Sequence, residues 1–144
     1  MSDSTITVRG YLGGDVTLRE AGDVPVASFR LACTPRRYQR SSDSWVDGAT
    51  QWYSVDAWRA LGENCRDSLR RGDPVVVHGR LEAHVWTNNA GVEVRSFVVE
   101  ASSVGHDLNR GVSRFAKNVR PEGAVRSAEQ STETREDAAA APAA

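Results

Sequence analysis

The chain has 144 residues, with 18 Lys+Arg against 19 Asp+Glu for a net charge of −1; it can bury one core and a tail, and its average charge announces no nucleic-acid partner. Two cysteines, Cys33 and Cys65, with no C-x-x-C pair, support neither a disulfide framework nor a zinc site and read as small buried hydrophobes. The polar start MSDSTITVRG and the lack of any long apolar run lead to the expectation of a soluble, cytoplasmic chain without a membrane segment.

In chain order, TITVRGYL (Thr5–Leu12) alternates as a strand with Ile6, Val8 and Leu12 inward. Gly13-Gly14 turns the chain into a short strand near Val16–Glu20, and a second turn leads to Val24–Thr34, with Phe29, Leu31 and Cys33 on one face. PRRYQRSSDSWVDGA reads as a loop, punctuated by proline, a serine cluster and Asp47-Gly48. TQWYSVDAW (Thr50–Trp58) then alternates again. Val55 and Ala57 mark its core side, so Trp52, Ser54, Asp56 and Trp58 share the wet side.

Leu61, Cys65 and Leu69 recur every four residues, which predicts a helix with Gly72 as its stop. Pro74–Trp86 is a long strand, NNAG a hairpin signal, and Val92–Glu100 the return strand. Trp86 is in phase with His78, Arg80, Glu82 and His84 on a polar face. Three main strands, one helix and two strands make an all-β chain with the plan of an OB-fold, a five-stranded, partly open barrel with one helix between strands 3 and 4.

Three of the four tryptophans thus fall on faces that ought to be wet, and Tyr38 and Trp45 lie beside Arg36, Arg37 and Arg40. Aromatics interleaved with arginines on an exposed sheet suit a platform for single-stranded nucleic acid, where each base stacks for roughly 1–3 kcal/mol and guanidinium groups follow the phosphates. On a strand, Trp52 and Trp58 stand about 20 Å apart, from ~3.3 Å per residue. Periodicity alone equally allows a subunit contact, or a second layer that covers these rings.

Beyond residue 105 the reading divides. In HDLNRGVSRFAKNVR, Leu108, Val112, Phe115 and Val119 could line one helical face, or the segment could form an extra strand clamping a neighbouring subunit. Residues 1–120 hold 16 basic against 14 acidic side chains and residues 121–144 hold 2 against 5, so the acid excess belongs to the tail, which is expected to be disordered. The expected organisation is a binding domain over 1–108, a basic extension over 109–120 that contacts a subunit, and a tail over 121–144.

VRGYLGGDVTLR, VASFRLACT, TQWYSVDAW and LRRGDPVVVHGRLEAHVWTNNAG, in this order between about Thr5 and Leu108, resemble the bacterial single-stranded DNA-binding protein (SSB) family. The resemblance implies an OB-fold protein that associates as a homotetramer and binds single-stranded DNA without catalysis or cofactor, in replication, recombination or repair. It also implies stacking roles for Tyr38, Trp52, Trp58 and Trp86. The family's basic positions fall near Arg70 and Arg71, and proximity adds Arg36, Arg37, Arg59 and Arg80 as phosphate contacts. Val16 stands where proline is usual and Tyr53 where histidine is frequent near a subunit contact, so the subunits are expected to pack differently. Family tails end in clustered aspartates capped by an aromatic residue, whereas this chain ends TREDAAAAPAA with no aromatic after Phe115. A short, accessory paralogue that does not recruit repair proteins through its tail is therefore expected.

The only histidines, His78, His84 and His106, have no nucleophile–base–orienter set around them, and there is no Walker loop or H-E-x-x-H, so no enzyme and no metal site is expected. The rival readings are a cold-shock-like binder of single-stranded RNA and a primosome-type OB-fold adaptor that chiefly holds other proteins.

Overall fold

A computed structural model of the chain describes residues 2–118. Among the described residues there are eight strands and one helix: β1 (Thr5–Leu12), β2 (Thr17–Ala21), β3 (Val24–Cys33), β4 (Arg36–Gln39), β5 (Ser44–Asp47), β6 (Gln51–Trp58), α1 (Arg59–Ser68), β7 (Pro74–Thr87) and β8 (Glu93–His106). Alternation decides which way each strand faces. Val8 and Leu12, Phe29 and Leu31, Val55 and Ala57, Val75 and Val77 all point inward and are buried, joined by Val99. Full burial of each large aliphatic side chain stabilises the fold by roughly 1.5–3 kcal/mol.

The main sheet runs β1-β7-β8-β6-β3-β2, and a β1–β3 pairing at Tyr11↔Ala32 and Leu12↔Leu31 closes it on itself. β1 and β2 lie along the same edge of β3, as two pieces of one strand bent at Gly13-Gly14, so the ring has five staves: β1, β3, β6, β8 and β7. All neighbours are antiparallel except β6 and β8, which run parallel over Ser54↔Val98 to Asp56↔Glu100. The barrel is an OB-fold, with α1 between its third and fourth staves.

A ten-residue helix is marginal in water on its own, so α1 depends on its docked face. Leu61 packs against the core, and Gly62, Cys65 and Leu69 are buried. Helix and strand are joined by Arg59, whose φ of +60° puts a non-glycine residue in the left-handed region and bends the chain sharply after Trp58. The helix is shorter than its apolar spacing predicts. It ends at Ser68, with the Leu69 amide donating to the Cys65 carbonyl at 2.9 Å, and Gly72 (φ +88°) instead shapes the turn into β7.

Three other expectations are corrected. The stretch expected as a loop before TQWYSVDAW is a second sheet, an antiparallel β4–β5 ribbon with Arg37 opposite Val46 and Tyr38 opposite Trp45, and its tip is at Asp43 (φ +49°). Local turn residues mark that tip but do not forbid strands on either side of it. β8 runs on to His106, because β7 pairs with it down to Val75, with a single bulge at Ser102 between His78 and Gly79. The segment after it is neither a helix nor a strand through residue 118; the barrel gives it no ladder to join, and Gly111 lowers its helical propensity. Leu108 and Val112 are exposed there. Residues up to Ser113 form one compact unit. In the second unit, residues 114–118 have no regular secondary structure and Phe115 is exposed. Val119 and the tail expected over 121–144 lie outside the described residues.

Candidate nucleic-acid interface

Side chains directly opposite in a ladder share a face, so register shows which of the expected site residues meet. On β6, Trp52, Ser54, Asp56 and Trp58 point away from the core. The row through Asp56 continues to Ser28 in β3 on one side, and to Glu100 in β8 and Arg80 in β7 on the other. From Arg80 the same face continues along β7 through Glu82 and His84 to Trp86, opposite Val94. Trp52, Trp58, Trp86 and Arg80 therefore lie on one continuous outward sheet face. The three indoles are 53%, 37% and 48% exposed, so no second layer among the described residues covers them.

Trp52 is held on two sides. The Arg30 guanidinium lies over its ring, 5.4 Å from the centroid. Gly13, at the bend between β1 and β2, lies at the ring edge, where an added Cβ would be 2.5 Å from Cζ3. The opening beside it, a cleft of about 510 Å³, is lined by Gly13, Asp15, Thr17, Ser28, Ser54 and Asp56 with Trp52 and Arg30. Within it the Ser28 hydroxyl donates to Asp56 Oδ1 at 2.7 Å.

Tyr38 is not on this sheet. It sits on the β4–β5 ribbon, which leaves the β3–β6 pair at the Trp52 end, where Thr34 and Thr50 share a hydroxyl hydrogen bond of 2.7 Å. Tyr38 meets Trp45 edge to face, centroids 5.9 Å apart, and both rings remain open to solvent at 46% and 62%. Arg36 pairs with Asp47 at 3.2 Å on the same ribbon, beside Arg37. Arg59 follows Trp58 at the helix junction. Arg70 and Arg71 occupy the turn after α1, against the β1–β2 bend: the Arg71 amide donates to Asp15 Oδ1 at 3.1 Å. Arg70 folds its guanidinium back onto the carbonyls of Arg66 and Leu69.

Arg80 is the most constrained of the expected phosphate contacts. It donates to Glu82 Oε1 at 2.6 Å and to Glu100 Oε2 at 2.9 Å, and the hydrogen bond to Glu100 with both carboxylate charges strengthens its hold on its proton. His84 approaches Glu82 at 3.9 Å.

Arg30 and Gly13 are site candidates that the sequence does not announce, and Trp45, noted there beside the arginines, was not among the expected stacking residues. Trp45 has no counterpart in the stacking set that the resemblance implies, and the contact between Arg30 and Trp52 depends on a β3–β6 register that no local pattern states. Of the cysteines, Cys65 is buried as expected, and burial pushes its thiol up to about 11. Cys33 is only half-buried, because it ends β3 where the sheet runs out, though burial still raises its pKa. Among the described residues no group of three His, Cys, Asp or Glu could hold a metal ion, and no helix is long and apolar enough to cross a membrane.

The chain is similar to several bacterial proteins. Single-stranded DNA-binding protein 2 of Tropheryma whipplei (strain Twist) is 41% identical over 113 residues, 78% of this chain and 74% of the relative. Single-stranded DNA-binding protein 1 of Streptomyces coelicolor is 36% identical over 122 residues, 85% of this chain and 78% of the relative. Among solved structures, the small single-stranded DNA-binding protein of Streptomyces coelicolor aligns with a TM-score of 0.69 at 36% identity, over 77% of this chain and all of that one. The second single-stranded DNA-binding protein of Mycobacterium smegmatis aligns with a TM-score of 0.60 at 28% identity, over 81% of this chain and all of that one. With residues 3–107 matching its family model, the chain belongs to the single-strand binding protein family.

Proposed function

We propose that this protein binds single-stranded DNA without marked sequence preference and protects it in replication, recombination or repair. The observation that carries the reading is the set of three open indoles on one continuous sheet face, with Trp52 fixed by Arg30 and Gly13. Bases lie on Trp52, Trp58 and Trp86 over the domain 1–108. Tyr38 adds a ring from the ribbon, and Arg36, Arg37, Arg59, Arg70 and Arg71 neutralise phosphates around the margin. Stacking needs only the π-face that every base has, so sequence preference is slight, while duplex DNA keeps its bases to itself and binds poorly. The role is one of binding, without catalysis or cofactor.

The names of its relatives support the same ligand. We further infer a homo-oligomer, a tetramer by family resemblance. β1 pairs with β7 on one side but with β3 only at Tyr11 and Leu12 on the other, so Thr5–Gly10 offers a sheet edge of the kind that natural proteins cover. Equilibrium sedimentation measures that state.

Tryptophan fluorescence titrated with oligo-dT, matched RNA and duplex DNA, at two salt concentrations, tests the function. Quenching by oligo-dT that weakens as salt rises is the expected result. Equal quenching by RNA would transfer the reading to a cold-shock-like binder, and no quenching by any of them would leave a protein-holding adaptor.

A further inference from the structure

The tryptophan face carries a charge pattern that a surface built only to follow phosphates would not have. Across its middle run Arg80, Glu100, Asp56 and Ser28, on four neighbouring strands, and Glu82 joins them from the next outward position of β7. One guanidinium thus pairs with two carboxylates, and a third, Asp56, is held by Ser28 further along the row, at the level between Trp52 and Trp58. Of the other arginines near the tryptophans, Arg30 shares the face, opposite Ser54 and drawn over Trp52, and the rest sit on the ribbon or at the helix junction. Arg80 itself is held from two sides, at 2.6 Å and 2.9 Å. Both carboxylates are partly exposed and lie within a Debye length, about 8–10 Å, of any strand crossing the face.

A phosphate seeking Arg80 has to displace a carboxylate that is already in charge-assisted contact with it, and it meets the repulsion of the other carboxylates nearby. Bases meet no such opposition: indole rings flank the row, and carboxylates accept hydrogen bonds from exocyclic amino groups.

Resting on the proposed DNA-binding role of this face, we propose that Glu82 and Glu100 are positioning residues that hold Arg80 off the phosphate backbone. They act as an internal competitor that keeps the middle of the face for bases and sets affinity below what its rings and arginines could reach. The strand then runs with its phosphates towards the marginal arginines, and it can leave without breaking a phosphate contact at the centre.

The test uses the full chain with Glu82→Gln and Glu100→Gln together, titrated with oligo-dT by tryptophan fluorescence over a series of salt concentrations. Freed Arg80 should add one phosphate contact. Affinity should rise several-fold at moderate salt, and the slope of log K against log salt should steepen by about 0.7, the value per phosphate for single strands. Adding Arg80→Gln should return the slope to its starting value. An unchanged slope in the double variant would overturn the proposal, as would a gain that persists once Arg80 is replaced, since loss of negative charge alone would then explain it. Each single Glu→Gln variant gives the same readout in smaller measure should the double variant lose its melting transition. Failure of the unmodified protein to bind oligo-dT would instead overturn the reading of the face as a DNA platform.

Discussion

Trp52 carries the sharpest expectations at the scale of single residues. Replacing it with alanine should cost about 1–3 kcal/mol in binding oligo-dT, a rise in Kd of roughly 5- to 150-fold, if one base stacks there. Titration at fixed salt measures it, and an unchanged Kd would remove Trp52 from the site. Gly13→Ala tests how the ring is held. A methyl group placed 2.5 Å from Cζ3 must push the indole aside, so DNA affinity should fall while the melting temperature changes little, since the ring can swing into solvent. A loss of stability larger than the loss of affinity would show that Gly13 serves the bend and not the ring. The outward aim of Trp52 was legible because strand side chains alternate with a period of two, and Val55 and Ala57 gave the phase. Its neighbours Arg30 and Gly13 were not legible: they arrive from β3 and from the β1–β2 bend through long-range register, which alternation within one strand cannot supply.

Among the elements, the junction of β6 and α1 shows how closely the helix seats. A Cβ at Gly62 would come 2.3 Å from the Ala57 carbonyl oxygen and 3.1 Å from the Ala27 amide nitrogen, both backbone atoms that cannot step aside. Alanine favours a helix over glycine by about 1 kcal/mol, yet Gly62→Ala should destabilise the fold by about 1–3 kcal/mol, because overpacking outweighs propensity here. Denaturant unfolding measures it, and a gain in stability would mean that α1 is free to shift. Cys65, one turn further on, links the same packing to pH. The folded chain holds its thiol proton to about 11, while the unfolded chain releases it near 9.0. The unfolded state therefore binds fewer protons between those values, and stability falls as pH rises through that window. The melting temperature of Cys65→Ala should decline less steeply from pH 9 to 11 than that of the unmodified protein; parallel curves would show that the thiol is not part of that decline. This helix was readable from Leu61, Cys65 and Leu69, which repeat with the period of a helical face. The β4–β5 ribbon was not, since Ser41–Asp43 at its tip also suits an open loop, and only the pairing of Tyr38 with Trp45 and Arg37 with Val46 distinguishes the two.

For the molecule as a whole, charge has to be read by place. The net charge of −1 argues against a polyanionic ligand, but the acid excess belongs to residues 121–144, and residues 1–120 are slightly basic. If marginal arginines meet phosphates, log K for oligo-dT should fall linearly with log salt, with a slope of about −0.7 per phosphate neutralised. A salt-independent Kd would leave stacking alone as the source of affinity. The barrel was legible from the order of strands and helix, because each element announced itself locally. The charge pattern on its outer face was not. Alternation along β7 puts Arg80 and Glu82 on one face, but only the β7–β8 ladder brings Glu100 to them.

The parallel contact between β6 and β8 also has a consequence for biosynthesis. β6 leaves the ribosome some forty residues before its partner, and nothing shorter than a chain reaching Glu100 can complete that contact. Until then the outer edge of the tryptophan strand has unsatisfied amides and carbonyls, next to apolar side chains that have nowhere to go. A nascent chain stalled before Val98 is therefore the species most exposed to clumping, and the final stave of the barrel is what makes the product safe to release.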